Sequence, residues 1–277
     1  MIIDIGKIHF NVLLSNKKKP NDIPVVFFHG FTGNSNDWKN IITNLPNGFY
    51  SLAIDLIGHG KSSSPSNKNF YTLSSQIQYF DKIFSKLKIT NPVFVGYSMG
   101  GRFALSYAMK NKKSVKALVL ESTAFGYKLQ HEKEDRILSD KILAEKIING
   151  SLNDFFDFWY DLPLFNSLRE NKNVNLEKIK KEKILQNNKI GLANSLLGFG
   201  TGTMDNYFEQ IDKFESNVLL ITGSLDKKFT SIANEAKEIF PNAEHKIVNN
   251  CGHNVHLEKP EEFLKFLNRF LKNIKEQ

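Results

Sequence analysis

Continuous apolar runs and amphipathic stretches alternate along most of this chain. The apolar runs predict strands covered on both faces, at residues 25–28, 51–54, 93–95, 115–120 and 218–221. Periodic apolar positions predict helices at residues 71–87, 99–110, 231–240 and 260–274. Shorter signals predict an antiparallel edge strand within residues 7–15 and a strand around 246–248. This order predicts an α/β fold, with a mainly parallel sheet flanked by helices.

The alternation stops in the middle of the chain. Between residues 128 and 208 the periodicity predicts only helices, at 132–148, 152–160, 176–187 and 192–198. Strand and helix signals resume after this stretch. We therefore predict an α/β core made of residues 1–127 and 209–277, with residues 128–208 inserted as a helical cap. This inserted segment is called the cap below.

Composition narrows the classes of protein that this chain can represent. The single cysteine, Cys251, excludes an internal disulfide and favours a reducing compartment. No basic region followed by an apolar one opens the chain, and no apolar run approaches the roughly 18 residues of a membrane-spanning helix. We therefore predict a cytoplasmic protein without membrane insertion. The sequence does not indicate an oligomeric state.

The net charge is +8, from 37 basic and 29 acidic residues. Much of the excess is lysine scattered through surface segments rich in lysine and asparagine. Nucleic-acid binding would require a concentrated basic stripe with interleaved aromatic residues, and the sequence has none. The charge is compatible with a preference for anionic small molecules.

A serine lies between a predicted strand and a predicted helix, in the run Gly96-Tyr97-Ser98-Met99-Gly100-Gly101. The glycines leave room for a turn so sharp that Ser98 adopts strained backbone dihedrals. This is the G-x-S-x-G nucleophile elbow, which exposes the serine Oγ at the carboxyl end of the strand. An ordinary serine in a glycine-rich turn is the alternative, and the flanking strand and helix favour the elbow.

A serine hydroxyl becomes a nucleophile or base only when a histidine accepts its proton and an acid orients that histidine. Asp226 follows one predicted strand, and His253 follows the next. The order Ser98, Asp226, His253 is that of a serine, acid and histidine triad on an α/β sheet. His256 competes with His253, and we choose His253 because it directly follows a glycine. For His256 we predict a structural role in ordering the loop.

A metal site is the other use that clustered histidines suggest. The candidates are His29, His59, His253 and His256. Zinc sites usually add cysteine or carboxylate ligands at characteristic spacing, and Cys251 has no partner cysteine. We therefore predict no metal site.

The triad residues and the run His29-Gly30-Phe31 together resemble the α/β-hydrolase superfamily, over the whole chain outside the cap. The resemblance implies an oxyanion hole formed by two backbone N–H groups, one after the His-Gly pair and one after the nucleophile. By position these belong to Phe31 and Met99.

Further motifs are similar to a narrower family, the 2-succinyl-6-hydroxy-2,4-cyclohexadiene-1-carboxylate synthases of menaquinone biosynthesis. They are Gly96-Tyr97-Ser98-Met99-Gly100-Gly101-Arg102, Leu120-Glu121-Ser122-Thr123, Trp159-Tyr160-Asp161-Leu162-Pro163-Leu164-Phe165, Gly200-Thr201-Gly202 and Asp226-Lys227-Lys228-Phe229. The resemblance implies a lyase that eliminates pyruvate from 2-succinyl-5-enolpyruvyl-6-hydroxy-3-cyclohexene-1-carboxylate, without metal or organic cofactor. It also implies a triad that acts as a base on a ring proton.

A substrate with three carboxylates needs fixed cations, and the forked guanidinium suits carboxylates better than an ammonium does. Arg102 lies one helical turn after Ser98 and is predicted to point toward the site. Arg136 matches the family's arginine on the first cap helix. Surface positions are the alternative for both arginines. The family pattern has a further cap arginine near residues 183–188, where this chain has only lysines.

Two aromatic residues complete the predicted substrate-binding set. Trp159 belongs to a cluster that is mostly cap core, and one member of the cluster is predicted to roof the pocket. Tyr97 either packs the elbow or donates its hydroxyl to a carboxylate. Two other functions stay open at this point: a capped hydrolase of ester or carbon-carbon bonds, and a non-catalytic ligand binder on the same fold.

Overall fold

The computed structural model describes residues 1–15 and 18–276. Its centre is an eight-stranded sheet in the order β1-β2-β4-β3-β5-β6-β7-β8. The strands are β1 (Ile2–Ile5), β2 (Ile8–Leu14), β3 (Ile23–Phe28), β4 (Phe49–Ile54), β5 (Val93–Tyr97), β6 (Ala117–Glu121), β7 (Asn217–Gly223) and β8 (Ala243–Val248). Strands β3 to β8 pair in parallel, and β1 and β2 form an antiparallel hairpin at one edge. The predicted α/β class with a mainly parallel sheet is confirmed.

The sheet is accompanied by helices, some of which cover its two faces. They are α1 (Lys39–Ile42), α2 (Leu73–Leu87), α3 (Met99–Lys110), α4 (Gln130–Asn149), α5 (Leu152–Asp161), α6 (Asn166–Glu170), α7 (Leu176–Gln186), α8 (Lys189–Phe199), α9 (Lys227–Ile239), α10 (Val255–Glu258) and α11 (Pro260–Glu276). Helices α2, α3 and α9 share one apolar cluster with alternate residues of the strands, and α1 and α11 share the other. In β3, for example, Val26 and Phe28 face the first cluster while Val25 and Phe27 face the second. Burial on both faces explains the continuous apolar runs of the strands.

The structure differs from the sequence prediction at several boundaries. Helix α9 begins at Lys227 rather than at residue 231, because the Asp226 side chain accepts the Phe229 N–H and caps the first turn. Helix α8 begins at Lys189 rather than at residue 192, because Asn188 caps it in the same way. Strand β1 was not predicted, since four residues are too few to show a clear alternation.

In chain order, helices α4 to α8 all come between β6 and β7. They have an apolar cluster of their own, to which Phe155, Phe156 and Leu192 contribute fully buried side chains. Phe31 and Leu257, from the loops at the carboxyl ends of the strands, pack against this cluster. The helices therefore lie over those strand ends, and we infer that they are the predicted cap, residues 128–208. No helix within the described part of the chain is long and apolar enough to span a membrane.

Candidate active site

Ser98 lies at the sharp turn between β5 and α3. Its φ of 50° and ψ of −107° are strained for a residue with a side chain. The turn fits only because its glycines have no side chains: a Cβ on Gly100 would lie 2.2 Å from the carbonyl oxygen of Phe28. The Ser98 N–H donates to the Glu121 carbonyl at 2.9 Å, which fixes the turn to β6. The predicted elbow geometry is therefore present.

The structure brings the three predicted triad residues together. The Ser98 hydroxyl lies 3.1 Å from His253 Nε2, and His253 Nδ1 lies 2.6 Å from Asp226 Oδ2. His253 is 2% exposed and Asp226 is 8% exposed, so water competes little for these bonds. With Nδ1–H donating to the carboxylate, Nε2 is free to accept the serine proton. The arrangement can generate a base or nucleophile at Ser98 Oγ.

The predicted oxyanion amides belong to Phe31 and Met99, which follow the neighbouring parallel strands β3 and β5. Met99 is the first residue of α3, whose early N–H groups have no acceptor within the helix. Phe31 is in a tight turn that the Gly33 N–H closes by donating to the Gly30 carbonyl at 3.0 Å. Thr32, the next residue, has a φ of 67°, a strained value for a β-branched side chain. Both residues line the cavity described next, which is compatible with the predicted oxyanion hole.

A cavity of about 1020 Å³ opens above Ser98. Its wall includes the predicted substrate-binding residues, which are Tyr97, Arg102, Arg136 and Trp159. The cavity is therefore lined by both core and cap residues. It lies at the carboxyl ends of the strands, where ligands bind in parallel α/β sheets. Within residues 1–15 and 18–276, no group of histidine, cysteine and carboxylate side chains is arranged to hold a metal ion.

Arg102 is buried, with 7% exposure, and is not the surface ion-pair partner that the sequence left open. Its Nη1 donates to the Phe199 carbonyl at 2.8 Å, and its guanidinium lies 4.8 Å from the centre of the Phe199 ring. Burial lowers the pKa of this guanidinium to about 10, which keeps it charged near neutral pH. The arginine therefore contacts the end of α8 and places a cation in the cavity wall.

Arg136 lies on α4 and is held by its neighbour one turn further on. Its Nε donates to Asp140 Oδ1 at 2.8 Å. Burial opposes the charge, but the Asp140 carboxylate raises the pKa of Arg136 above its usual value. The Asp140 carboxylate itself is 4% exposed and faces both arginines. The two arginines thus form one cationic region, partly balanced by a single carboxylate.

The two predicted aromatic residues have different surroundings. The Tyr97 ring packs on Gly30, where a Cβ would come within 2.5 Å of it, and lies 5.3 Å from the His253 ring. Burial raises the pKa of Tyr97 well above 10, so the hydroxyl remains a hydrogen-bond donor. Trp159 makes an edge contact with Phe31 at 5.2 Å. Tyr97 therefore packs the elbow and also borders the cavity. Trp159 covers the turn at residues 30–33, which contains the predicted oxyanion residue Phe31 and is called the oxyanion turn below.

His256 does not join the triad. Its N–H and its Nδ1 bind the two oxygens of the fully buried Glu121 carboxylate, at 2.9 and 2.8 Å. Its ring stacks on Trp38 with centroids 4.1 Å apart. These contacts hold the loop that carries His253 against β6. Glu121 was not predicted as the partner of His256, since the two residues are 135 positions apart in the chain.

A second ion pair was missed as well. Lys183 on α7 pairs with Asp37, which follows the oxyanion turn, and both line the cavity. Lys183 lies in the stretch where the family pattern has an arginine. The only available signal was this departure from the pattern, because residues 37 and 183 are far apart in sequence.

Two neutral histidines lie behind the oxyanion turn. His29 Nε2 accepts the Leu56 N–H at 2.9 Å, and the rings of His29 and His59 are 5.1 Å apart. Burial lowers the pKa of His29 below its usual value and lowers the pKa of His59 well below it. The oxyanion turn is therefore packed against neutral imidazoles. Protonation would place a charge in a buried site, and a protonated His29 Nε2 could no longer accept the Leu56 N–H.

Acidification from about pH 7.5 to about pH 5.5 is expected to lower the melting temperature, because histidines in the unfolded chain bind protons near pH 6.5. A histidine whose pKa is lower in the folded protein than in the unfolded chain contributes stability above the unfolded-chain pKa of about 6.5. This stability is lost as the pH falls from that value toward the folded-state pKa. Thermal melts of the parent and of His59→Phe test this, and the variant should show a shallower pH dependence. His131→Gln, at an exposed position, is the control. Equal slopes in the parent and His59→Phe would contradict the assignment.

A family model described as alpha/beta hydrolase fold matches residues 23–260. The match agrees with the parallel sheet and with a serine after β5, an acid after β7 and a histidine after β8. The fold and the site therefore define the class: an α/β-hydrolase-fold protein.

Individual relatives narrow this class. A Bacillus subtilis (strain 168) protein provisionally named 2-succinyl-6-hydroxy-2,4-cyclohexadiene-1-carboxylate synthase is 39% identical over 250 residues, covering 90% of each chain. An Enterobacter sp. (strain 638) protein of the same name is 28% identical, over 87% of this chain and 89% of its own. The solved structure of MenH from S. aureus has a TM-score of 0.89 and 30% identity, over 96% of this chain and 99% of its own. This chain belongs to the 2-succinyl-6-hydroxy-2,4-cyclohexadiene-1-carboxylate synthase family of enzymes.

Proposed function

We propose that this protein eliminates pyruvate from 2-succinyl-5-enolpyruvyl-6-hydroxy-3-cyclohexene-1-carboxylate to form 2-succinyl-6-hydroxy-2,4-cyclohexadiene-1-carboxylate in menaquinone biosynthesis. The observation that carries the proposal is a hydrogen-bonded Ser98, His253 and Asp226 at the floor of a cavity walled by two arginines. The named relatives support it, since the B. subtilis and Enterobacter proteins carry the name of this synthase.

The double bonds in the two compounds define the bond changes. The substrate has one ring double bond, at C3, and the product has two, at C2 and C4. The electron pair of the C2–H bond therefore becomes the C2=C3 bond, and the C3=C4 pair moves to C4=C5. The C5–O pair then leaves with enolpyruvate, which takes a proton at its methylene carbon and becomes pyruvate. The step needs a base at C2 and requires no oxidant or reductant.

C2 carries the succinyl carbonyl, so removal of its proton places negative charge on that carbonyl oxygen. The Phe31 and Met99 amides are the donors that would stabilise this charge. Because His253 is only 2% exposed, we assign the direct contact with the proton to Ser98 Oγ. His253 takes the serine proton as the ring proton is removed, and Asp226 holds the imidazolium that forms.

Arg102 and Arg136 are proposed to bind substrate carboxylates. A guanidinium in a largely buried wall forms a strong, charge-assisted hydrogen bond to a carboxylate. Tyr97 and Trp159 are proposed to border the ring. The polycarboxylate nature of the ligand and the cytoplasmic location stay predictions from the sequence.

The test compares two reactions of the wild-type protein. Pyruvate release from the enolpyruvyl substrate is followed with a lactate dehydrogenase couple, with EDTA present, beside nitrophenol release from p-nitrophenyl acetate. We expect kcat/KM for the elimination to exceed that for the ester by orders of magnitude, and EDTA to have no effect. Faster ester hydrolysis would favour the capped hydrolase, whose machinery is the same triad. Turnover of neither compound would favour a ligand binder.

A further inference from the structure

The end of α7 is joined to residues 32–37, which follow β3, by three polar contacts. Lys183 pairs with Asp37, as described above. Asn34 Nδ2 donates to Gln186 Oε1 at 2.5 Å, and Asn187 Nδ2 donates to the Thr32 carbonyl at 3.0 Å. Each contact joins residues about 150 positions apart, specifically 146, 152 and 155. One cap segment therefore contacts three residues of the stretch that follows β3.

The contact from Asn187 lies on the strained part of that loop. Thr32 keeps its φ of 67° only if its surroundings hold it, because the left-handed region is unfavourable for a β-branched residue. Asn187 Nδ2 donates to the carbonyls of both Thr32 and Lys183, so it connects the turn directly to the helix end. Phe31 directly precedes Thr32, and both lie in the turn that the Gly33 N–H closes on the Gly30 carbonyl. The direction of the Phe31 amide therefore depends on how the turn is held.

The ion pair acts on the same loop. Lys183 has only 8% of its side chain exposed, and Asp37 has 25%. Burial alone would raise the pKa of Asp37, but the Lys183 ammonium lowers it below its usual value. The second oxygen of Asp37 accepts the Asn34 N–H at 3.1 Å, which shapes the loop. Without Lys183, this partly buried carboxylate would lose its countercharge, a costly state that we expect to displace the loop.

We propose that Lys183 and Asn187 are positioning residues of the cap, which hold residues 30–37 so that the Phe31 N–H points at the developing oxyanion. The ammonium of Lys183 is committed to Asp37 and does not bind the substrate. The proposal rests on the proposed function only for the identity of the reaction. The oxyanion hole itself can be measured without the substrate.

Lys183→Met is the first test, with Lys180→Met as its matched control. Lys180 lies on the same helix, but its acidic partners among the described residues are Asp157 and Glu177, both within the cap. Three quantities are measured: kcat and KM for pyruvate release, and the rate at which diethyl p-nitrophenyl phosphate labels Ser98, followed by mass spectrometry. This neutral reagent has no carboxylate, and its phosphoryl oxygen uses the oxyanion amides during attack.

Lys183→Met is expected to lower both kcat and the labelling rate by about tenfold or more, since small misplacement of a catalytic group has effects of about 10²-fold. KM should change by less than about threefold, because no ground-state contact is lost. Lys180→Met should match the parent in all three quantities. Lys183→Arg should restore most of both rates, since it keeps the charge opposite Asp37. Asn187→Leu should lower the same two rates.

A pair of variants separates positioning from a loss of folding. Asp37→Asn combined with Lys183→Met removes both charges while keeping an acceptor for the Asn34 N–H, so the double variant should lose no more activity than the single one. Melting temperatures show whether each variant is folded, and the milder Lys183→Gln replaces any that is not.

Three results would overturn the proposal. A higher KM with an unchanged labelling rate would make Lys183 a substrate ligand. A lower kcat with an unchanged labelling rate would mean that the contact does not act through the oxyanion hole. No change in either rate would mean that these contacts have no role there. If the wild-type protein releases no pyruvate, the labelling rates still decide the matter, so the two proposals fail separately.

Discussion

Ser98→Ala is expected to lower kcat for pyruvate release by about 10² to 10⁴, the usual contribution of a positioned general base. His253 is 2% exposed and its Nε2 lies 3.1 Å from the Ser98 hydroxyl, so we do not expect the imidazole to replace the missing hydroxyl at the ring proton. His253→Ala should have a comparable effect, because the hydroxyl then has no acceptor for its proton. Asp226→Asn should also be severe, because an amide stabilises the wrong tautomer of the histidine. Initial rates with the lactate dehydrogenase couple measure all three variants.

The combination of variants is the sharper part of this experiment. Ser98→Ala with His253→Ala should be no slower than either alone, because the residues act as one unit. Ser106→Ala, a buried serine on α3 outside the cavity, should keep the parent rate. His256→Ala should affect the melting temperature more than kcat, because its contacts are with Glu121 and Trp38. A His253→Ala protein with near-normal kcat would refute the assignment of His253 to the triad. An inactive His256→Ala protein would show that His256, and not His253, is the triad histidine.

Arg102→Ala is expected to lower kcat/KM for the enolpyruvyl substrate by roughly tenfold to a hundredfold. This corresponds to the loss of a charge-assisted bond that contributes about 1.5 to 3 kcal/mol. Turnover of p-nitrophenyl acetate should stay within a few-fold, since this neutral ester has no carboxylate to lose. Steady-state kinetics on both compounds give the comparison.

Arg102 also holds the Phe199 carbonyl, so its loss affects more than the substrate. Arg102→Lys should recover only part of the elimination, because an ammonium keeps the charge without the forked donors. Arg269→Ala, at an exposed position on α11, is the control for removing an arginine. Equal losses with both compounds would show that Arg102 supports the elbow rather than the substrate. No loss with either would place the carboxylate pocket elsewhere.

The sheet and the helices on its faces could be predicted because each buried strand is a short apolar run and each covering helix shows a clear period. Boundaries were less predictable, since side-chain caps decide them. Asp226 caps α9, so the helix begins directly after the residue predicted as the triad acid. The period alone could not locate that start, because residues 227–230 are not part of the apolar face.

The triad positions could be read from motifs at strand ends, where chain order and fold constrain each other. Their catalytic roles, and those of the oxyanion and arginine positions, stay predictions. The surrounding contacts could not be read in this way. The pairs of Glu121 with His256 and of Asp37 with Lys183 join residues that are 135 and 146 positions apart. Nothing local marks them, because a carboxylate or a lysine has the same appearance in sequence whether it is buried or solvated.

The chain has two tryptophans, and the fold places one in each part of the molecule. Trp38 is fully buried between α11 and His256, while Trp159 lies on α5 in the cap. Fluorescence therefore offers an independent signal from each part: Trp159→Phe leaves emission from the core alone, and Trp38→Phe leaves emission from the cap alone. Denaturant midpoints that coincide in the two variants would indicate a single cooperative unit. An earlier midpoint for the Trp159 signal would give the free energy at which the cap opens over an intact sheet.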